Sequence, residues 1–397
     1  MSRRSRRRRN SAPVYLLLIL TVAAIAYVVW SRLGAAPVLS TEAMLTAAQN
    51  AVSDYQSAQK IDPRVFIYDV NVVQSGDVVS ITGVVQDRQT ETALMAAVRA
   101  AAGRGVKNEL RVLPDAAMSA KPFGIVSVPV ANLGDGPKSD TGKHMVTQAV
   151  LGNVVDLLEE TSGWYRVRMH DDYLGWIDGK SLTIGDRAMV DSFTGGRQAV
   201  ITAKFATIHA TPDAASPGLT AKDAVQGTVL PVTAEQDGWV GVKLPDGRSG
   251  WLNASSVRLA ADIKDAFPRG SATDIIATAK QYVGLAYLWG GTTGYGFDCS
   301  GLTQFAYRVN GYAIPRDADM QYNAGQVLNS RDELRPGDLV FFSTYKAGPS
   351  HVGIYMGNNL YVHSASSGLQ ISSFDPKAPE YSQDLDQKYF GARRFIK

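Results

Sequence analysis

Two β-branched runs, Val65 to Val73 and Val78 to Val85, meet at the turn Ser75-Gly76-Asp77. Ala-rich stretches of helical spacing flank them, Thr41 to Gln59 and Thr90 to Ala102, and the second stops at Gly103 before a further strand-like run from Val106 to Leu113. That order predicts a small α/β unit over residues 40–114. Near the other end, Leu302, Phe305, Ala306 and Val309 recur at helical spacing after Asp298-Cys299-Ser300-Gly301, so Cys299 opens a helix. Downstream, His351 to Met356 and Leu360 to His363 alternate as strands around the turn residues Gly357, Asn358 and Asn359. A hairpin centred on Gly357 sets His351 opposite His363, and one centred on Asn358 makes them diagonal neighbours on one face.

Between these regions the chain repeats itself. Gly152, Trp164 and Trp176 recur as Gly227, Trp239 and Trp251, each displaced by 75 residues. Both copies alternate apolar and polar positions around an Asp171-Asp172 or Asp246-Gly247 turn, which predicts a short hairpin in each of two small barrels, over 120–187 and 188–262. These units resemble bacterial SH3 domains, and Trp176 and Trp251 are expected to be core anchors. The copies differ at one place of interest, where Tyr173 in the first corresponds to Arg248 in the second. Linkers are read at Pro114 to Lys121 and Ala260 to Gly270.

Cys299 is the only cysteine, so the chain has no internal disulfide. A thiol at a helix N-terminus meets partial positive charge that favours the thiolate, and its pKa is expected to fall below the ordinary value of about 8.5. With two histidines on adjacent strands, the arrangement supplies a nucleophile (Cys299), a base (His351) and an orienting group (His363). His144, His170 and His209 show no spacing that would bind a metal.

An ordered set of motifs accompanies them: Tyr287-Leu288-Trp289-Gly290-Gly291, Asp298-Cys299-Ser300-Gly301, Pro315-Arg316, Arg335-Pro336-Gly337-Asp338, and His351-Val352-Gly353 before the strand bearing His363. Over residues 268–397 this resembles the NlpC family of papain-like cysteine peptidases. The resemblance implies an α+β papain-like domain that hydrolyses bacterial cell-wall peptides with Cys299, His351 and His363, and it implies no metal or organic cofactor. In relatives bearing SH3 domains the bond is the γ-D-glutamyl to L-diamino-acid link, in peptides whose L-alanine amine is free. Asp298, Ser300 and Tyr287 then fall at substrate-binding positions. On the residues alone, Asp298 and Ser300 serve equally as helix caps and Tyr287 as a packing partner of Trp289. Such relatives also close the pocket with a tyrosine of the first barrel, carried here onto Tyr173, with Tyr165 as competitor.

Six arginines, Arg3, Arg4 and Arg6 to Arg9, precede Ala12 to Trp30, an uncharged run of 19 residues. That length suits a single-pass helix across a layer of about 30 Å, with the arginines in the cytoplasm and the rest extracytoplasmic, in periplasm or cell wall. A signal peptide cleaved near Gly34-Ala35-Ala36 is the competing reading of residues 1–36. The net charge of +3 is largely this tail, so nucleic-acid binding is unsupported. The α/β unit resembles a BON domain, which implies an envelope component as partner; a plain spacer fits the same residues.

The sequence thus describes a multidomain chain: transmembrane helix, BON-like α/β domain, two all-β barrels and a peptidase domain. Its expected partners are peptidoglycan stem peptides or muropeptides and, through the anchor, a lipid bilayer. The other classes considered are a non-catalytic wall-binding scaffold and a thiol acyltransferase.

Overall fold

The structure is a computed structural model that describes residues 39–138 and 142–396. The arginine tail and the apolar run, on which the anchor and the signal-peptide readings rest, lie outside the described residues. Among the described residues no helix is long and apolar enough to cross a membrane. The described residues divide into two units, one of residues 39–63 with 67–113, the other of residues 64–66 with 114–138 and 142–396.

In the first unit, α1 (Thr41–Ala58) starts at Ser40, whose side chain accepts from the Ala43 N–H. Strands β1 (Tyr68–Ser75) and β2 (Val78–Val85) pair antiparallel, and β3 (Lys107–Val112) joins β2 in parallel after α2 (Arg88–Ala102). Asp87 caps α2 by accepting from the Thr90 N–H at 2.7 Å. Gly83 is required where it stands, because its φ is +108° and a Cβ there would meet the Asp69 carbonyl oxygen at 2.0 Å. The predicted order of elements is present, but the first strand begins at Tyr68 and not at Val65. Residues 64–66 group with the other unit: the Arg64 carbonyl accepts from the Leu174 N–H at 2.8 Å and Val65 packs on the first barrel's core.

The second unit holds both barrels and the peptidase domain. The first barrel is one seven-stranded sheet of β4 (Phe123–Val126), β5 (Val130–Gly134), β6 (Met145–Val150), β7 (Val154–Thr161), β8 (Trp164–Arg168), β9 (Leu174–Asp178) and β10 (Leu182–Gly185), in the order β10-β4-β7-β8-β9-β5-β6. The helix α3 (Arg187–Thr194) leads to the second, with β11 (Gln198–Ile201), β12 (Val229–Gln236), β13 (Trp239–Lys243), β14 (Ser249–Asn253) and β15 (Val257–Ala260). The repeat survives in the backbone: β8 and β13, β9 and β14, and β10 and β15 are displaced by 75 residues, as the sequence repeat is. Trp176 and Trp251 are half-buried, not core anchors. Their strand neighbours Ile177 and Leu252 fill the cores, and alternation turns each indole to the opposite face.

The peptidase domain packs α4 (Ala272–Lys280) and α5 (Cys299–Arg308) on a six-stranded sheet, with the short helix α6 (Ala318–Ala324) nearby. Its strands are β16 (Gln326–Leu328), β17 (Leu339–Phe342), β18 (His351–Gly357), β19 (Leu360–Ala365), β20 (Gly368–Ser373) and β21 (Tyr389–Arg394), in the order β16-β21-β17-β18-β19-β20. Phe297, Leu302, Phe305, Phe341, Val352 and Val362 form the shared core. The first barrel is seated closely against this domain. Thr292 donates its N–H to the Gln148 side chain at 3.0 Å, and Gly290, at φ +73°, leaves no room for a Cβ, which would lie 2.6 Å from the Met145 carbonyl oxygen.

Candidate active site

Cys299 is the first residue of α5, and Asp298 caps that helix by accepting from the Gly301 N–H at 2.6 Å. The sulfur is buried, and backbone N–H groups of Ser300 and of Val352, the residue after His351, reach it. In the β18–β19 hairpin Gly353 pairs with His363, so the two histidines are diagonal neighbours, the second of the two registers considered. His351 Nε2 lies 2.8 Å from His363 Nδ1, and His363 Nε2 lies 3.0 Å from Ser372 Oγ on β20. Nδ1 of His351 is therefore the ring nitrogen left for the thiol. For it to carry a lone pair, Nε2–H of His351 must donate to His363, and Nε2–H of His363 must donate to Ser372.

The thiol is not depressed as the helix terminus alone predicts. Burial, with Asp298 beside it, pushes Cys299 up from 9.0 to about 12, against the pull of the Val352 and Ser300 N–H groups and the Arg316 charge. A rise of that size corresponds to roughly 4 kcal/mol at ~1.4 per unit, more than the ~0.3–2 kcal/mol a helix terminus supplies. Burial also drives His351 down to about 4, with Asp298 opposing, and His363 down to about 3, helped by His351. At neutral pH the resting pair is thiol and imidazole, both uncharged.

The cleft over the thiol is lined by Arg64, Tyr173, Tyr287, Trp289, Asp298, Ser300, Asp317, Asp319, Tyr345 and Lys346, among others. Each residue singled out in the sequence as a site residue therefore lies at the cleft or in the relay beneath it. Tyr173 is buried at the end of the β8–β9 hairpin, and its hydroxyl donates to Asp317 Oδ2 at 2.9 Å. The corresponding Arg248 instead makes an exposed local ion pair with Asp246. The hairpin geometry is shared, since the N–H of Tyr173 bonds Asp171 and that of Arg248 bonds Asp246. Trp289 and Tyr345, both exposed, meet edge to face at 5.9 Å on the rim.

Asp298, expected at a substrate-binding position, is already engaged. Arg316, 1% exposed, grips it with Nη2 to Oδ2 at 2.6 Å and Nη1 to Oδ1 at 3.1 Å, and the Gly290 N–H adds a third contact. Arg316 also bonds Ser300 Oγ and, through Nε, Thr147 Oγ1 of the first barrel. Sequence reasoning gave Arg316 no chemical task, because its partners come from two separate stretches of chain, Asp298 with Ser300 and, in the first barrel, Thr147. Ser372, Asp317 and Arg64 were missed for the same reason. A serine at a strand position facing a histidine two strand residues away is a signal only once the register of β19 and β20 is known. Among the described residues no cluster of His, Cys, Asp and Glu could hold a metal ion.

Comparison with known proteins adds the rest. Residues 284–390 match the NlpC/P60 family, residues 137–182 a bacterial dipeptidyl-peptidase SH3 domain, and residues 227–259 a YKFC SH3b2 domain. A γ-D-glutamyl-L-lysine dipeptidyl-peptidase of Bacillus cereus is 31% identical over 260 residues, 63% of this chain and 75% of that protein. Dipeptidyl-peptidase 6 of Lysinibacillus sphaericus is 30% identical over 268 residues, 66% of this chain and 95% of that one. The crystal structure of an NlpC/P60 family protein from Bacillus cereus superposes with a TM-score of 0.61 at 27% identity, covering 69% of this chain and all of the other. With a relative at this identity matched over three quarters of its length, the chain belongs to the NlpC/P60 family of cysteine peptidases that act on peptidoglycan.

Proposed function

We propose that the chain hydrolyses the γ-D-glutamyl to L-diamino-acid bond of peptidoglycan stem peptides or muropeptides. The observation that carries this reading is the closure of the thiol cleft by Tyr173 of the first barrel, which favours a short peptide end over a continuous strand. The B. cereus relative, named for a γ-D-glutamyl-L-lysine bond, supports the same linkage.

The chemistry runs on neutral partners. As the γ-carbonyl carbon nears Cys299, the thiol proton passes to His351 Nδ1 and the sulfur bonds to that carbon. His363 accepts from His351 Nε2–H and, backed by Ser372, steadies the imidazolium as it forms. The Cys299 N–H at the start of α5 and the Tyr287 hydroxyl are the donors suited to the oxyanion. Collapse breaks the C–N bond, His351 returns its proton to the departing amine, and water then cleaves the thioester by the same route.

The substrate's free L-alanine amine is assigned to Asp317. Asp298 is clamped by two bonds from Arg316, whereas Asp317, also on the cleft and half-buried, takes the Tyr173 hydroxyl and a single bond from Arg64. An ammonium brought to a partly dehydrated carboxylate gains a charge-assisted hydrogen bond. We also assign the apolar run near the N-terminus to a membrane anchor and the BON-like unit to contact with an envelope component. Incubation of the purified full chain with L-Ala-γ-D-Glu-L-Lys, with products identified by mass, tests the reading. Release of L-Ala-γ-D-Glu and lysine is expected; an intact peptide, or cleavage at the L-Ala bond, overturns it.

A further inference from the structure

Arg64 lies outside all three segments that match the family models, yet its guanidinium lines the cleft. Its backbone is pinned by the Leu174 N–H, next to Tyr173, and Val65 is packed on the first barrel's core. Nη1 donates to Asp317 Oδ2 at 2.8 Å and to Asp319 Oδ1 at 2.9 Å, while Nη2 donates to Asp319 Oδ2 at 2.9 Å. The oxygen of Asp317 that takes Arg64 is the one that takes the Tyr173 hydroxyl. A cation of the chain itself thus occupies the carboxylate assigned above to the substrate's ammonium group.

We propose that Arg64 is a specificity-determining residue: it competes with the substrate ammonium for Asp317 and stays parked on Asp319 while substrate is bound. This rests on the reading that the cleft takes a peptide with a free amine. The two contacts are unequal. With Asp319 the guanidinium forms a two-bond fork, the favoured geometry for arginine and carboxylate, and with Asp317 a single bond. Yielding Asp317 therefore costs one hydrogen bond and leaves the fork in place. Direct binding of a substrate carboxylate by Arg64 is disfavoured, because it would bring a third carboxylate beside Asp317 and Asp319. Peptides without a free amine have nothing to exchange for Arg64, so the residue weighs on free-amine peptides alone.

The test compares KM and kcat of the full chain on L-Ala-γ-D-Glu-L-Lys and on its N-acetyl form. Arg64→Ala is expected to lower KM for the free-amine peptide by roughly threefold to tenfold, without change in kcat or in KM for the acetylated one. Asp319→Asn should raise KM for the free-amine peptide, because Arg64 then falls wholly on Asp317. The double variant should match Arg64→Ala, since Asp319 acts only through Arg64. A KM that is unchanged or higher in Arg64→Ala, or additive effects in the double variant, overturns the proposal. Loss of thermal midpoint in parallel with the KM change would mark the residue as structural and overturn it too. If wild type cleaves neither peptide, the hydrolase reading fails separately. Calorimetric binding of L-Ala-γ-D-Glu in the Cys299→Ala background then decides on Arg64: tighter binding on Arg64→Ala supports it, and equal or weaker binding refutes it.

Discussion

The hydroxyl of Tyr173 and the carboxylate of Asp317, 144 residues apart in sequence, are joined by a hydrogen bond of 2.9 Å across the junction of the first barrel and the peptidase domain. Burial raises the pKa of both groups, Asp317 above the ordinary carboxylate range and Tyr173 above that of a free phenol. Tyr173→Phe keeps the ring and removes the bond. The expected outcome is a KM for free-amine peptides raised roughly fivefold, near 1 kcal/mol, with kcat little changed. Steady-state kinetics on the free tripeptide check this, and a fall in kcat alone would place Tyr173 in the chemical step. Arg248→Ala, at the matching position of the second barrel, should leave both constants as they were.

The relay predicts a graded series. His351→Ala should lose activity as completely as Cys299→Ala, because members of one catalytic unit are not additive. His363→Asn should keep a measurable fraction, since an amide oxygen can still accept from His351 Nε2–H. Ser372→Ala removes the last partner, and a loss of roughly fivefold is expected from one hydrogen bond. Single-turnover rates rank the variants. Loss in Ser372→Ala equal to that in His351→Ala would mean that the serine does more than fix a tautomer.

Alkylation separates the two possible resting states. With Cys299 raised to about 12 and His351 lowered to about 4, the sulfur is protonated at neutral pH. Iodoacetamide should label it more slowly than a simple thiol at pH 7, with a rate that climbs toward alkaline pH. Mass spectrometry of the sole cysteine reads the rate directly. Labelling faster than a simple thiol near pH 6 would instead show an ion pair preformed at rest.

Stability should follow the buried histidines. Both have folded pKa values below the unfolded value of 6.5, at about 4 for His351 and about 3 for His363. Above pH 6.5 each is neutral in both states and costs nothing. As pH falls from 6.5 toward 4 and 3, the unfolded chain takes up protons that the folded chain refuses, so stability declines through that window and levels off below it. The thermal midpoint of His363→Asn should decline less steeply between pH 6.5 and 3 than that of wild type. Equal slopes would show that His363 is already charged in the fold.

Much of this was legible in the chain, and for definite reasons. The repeat of 75 residues could be read because hairpins are local, and their turn residues and alternation lie within about 20 residues of each other. Cys299, its Asp298 cap and the His351–His363 hairpin were likewise local patterns. The sign of the thiol shift was not, because it depends on how much of the domain closes over the sulfur. Nor was the Arg316–Asp298 pair, which needs the chain to fold back past the whole of α5 over a separation of 18 residues, or Arg64, which stands 253 residues from Asp317. Half-buried Trp176 and Trp251 show the same limit, since pattern gives alternation but not which face the barrel closes upon.

Read as text, the peptidase domain looks like a cassette that could be cut free at the linker near Pro268. Arg316 argues otherwise. Its Nε reaches Thr147 in the first barrel while its fork holds the cap of the nucleophile's helix, and Gly290 admits no side chain because the Met145 carbonyl stands against it. Excision would strip a partner from a buried cation one bond away from the cap of Cys299, and would uncover a surface shaped by a neighbour that is no longer present. Barrel and peptidase are thus one working part, and in lineages that shuffle such modules this pair should travel together.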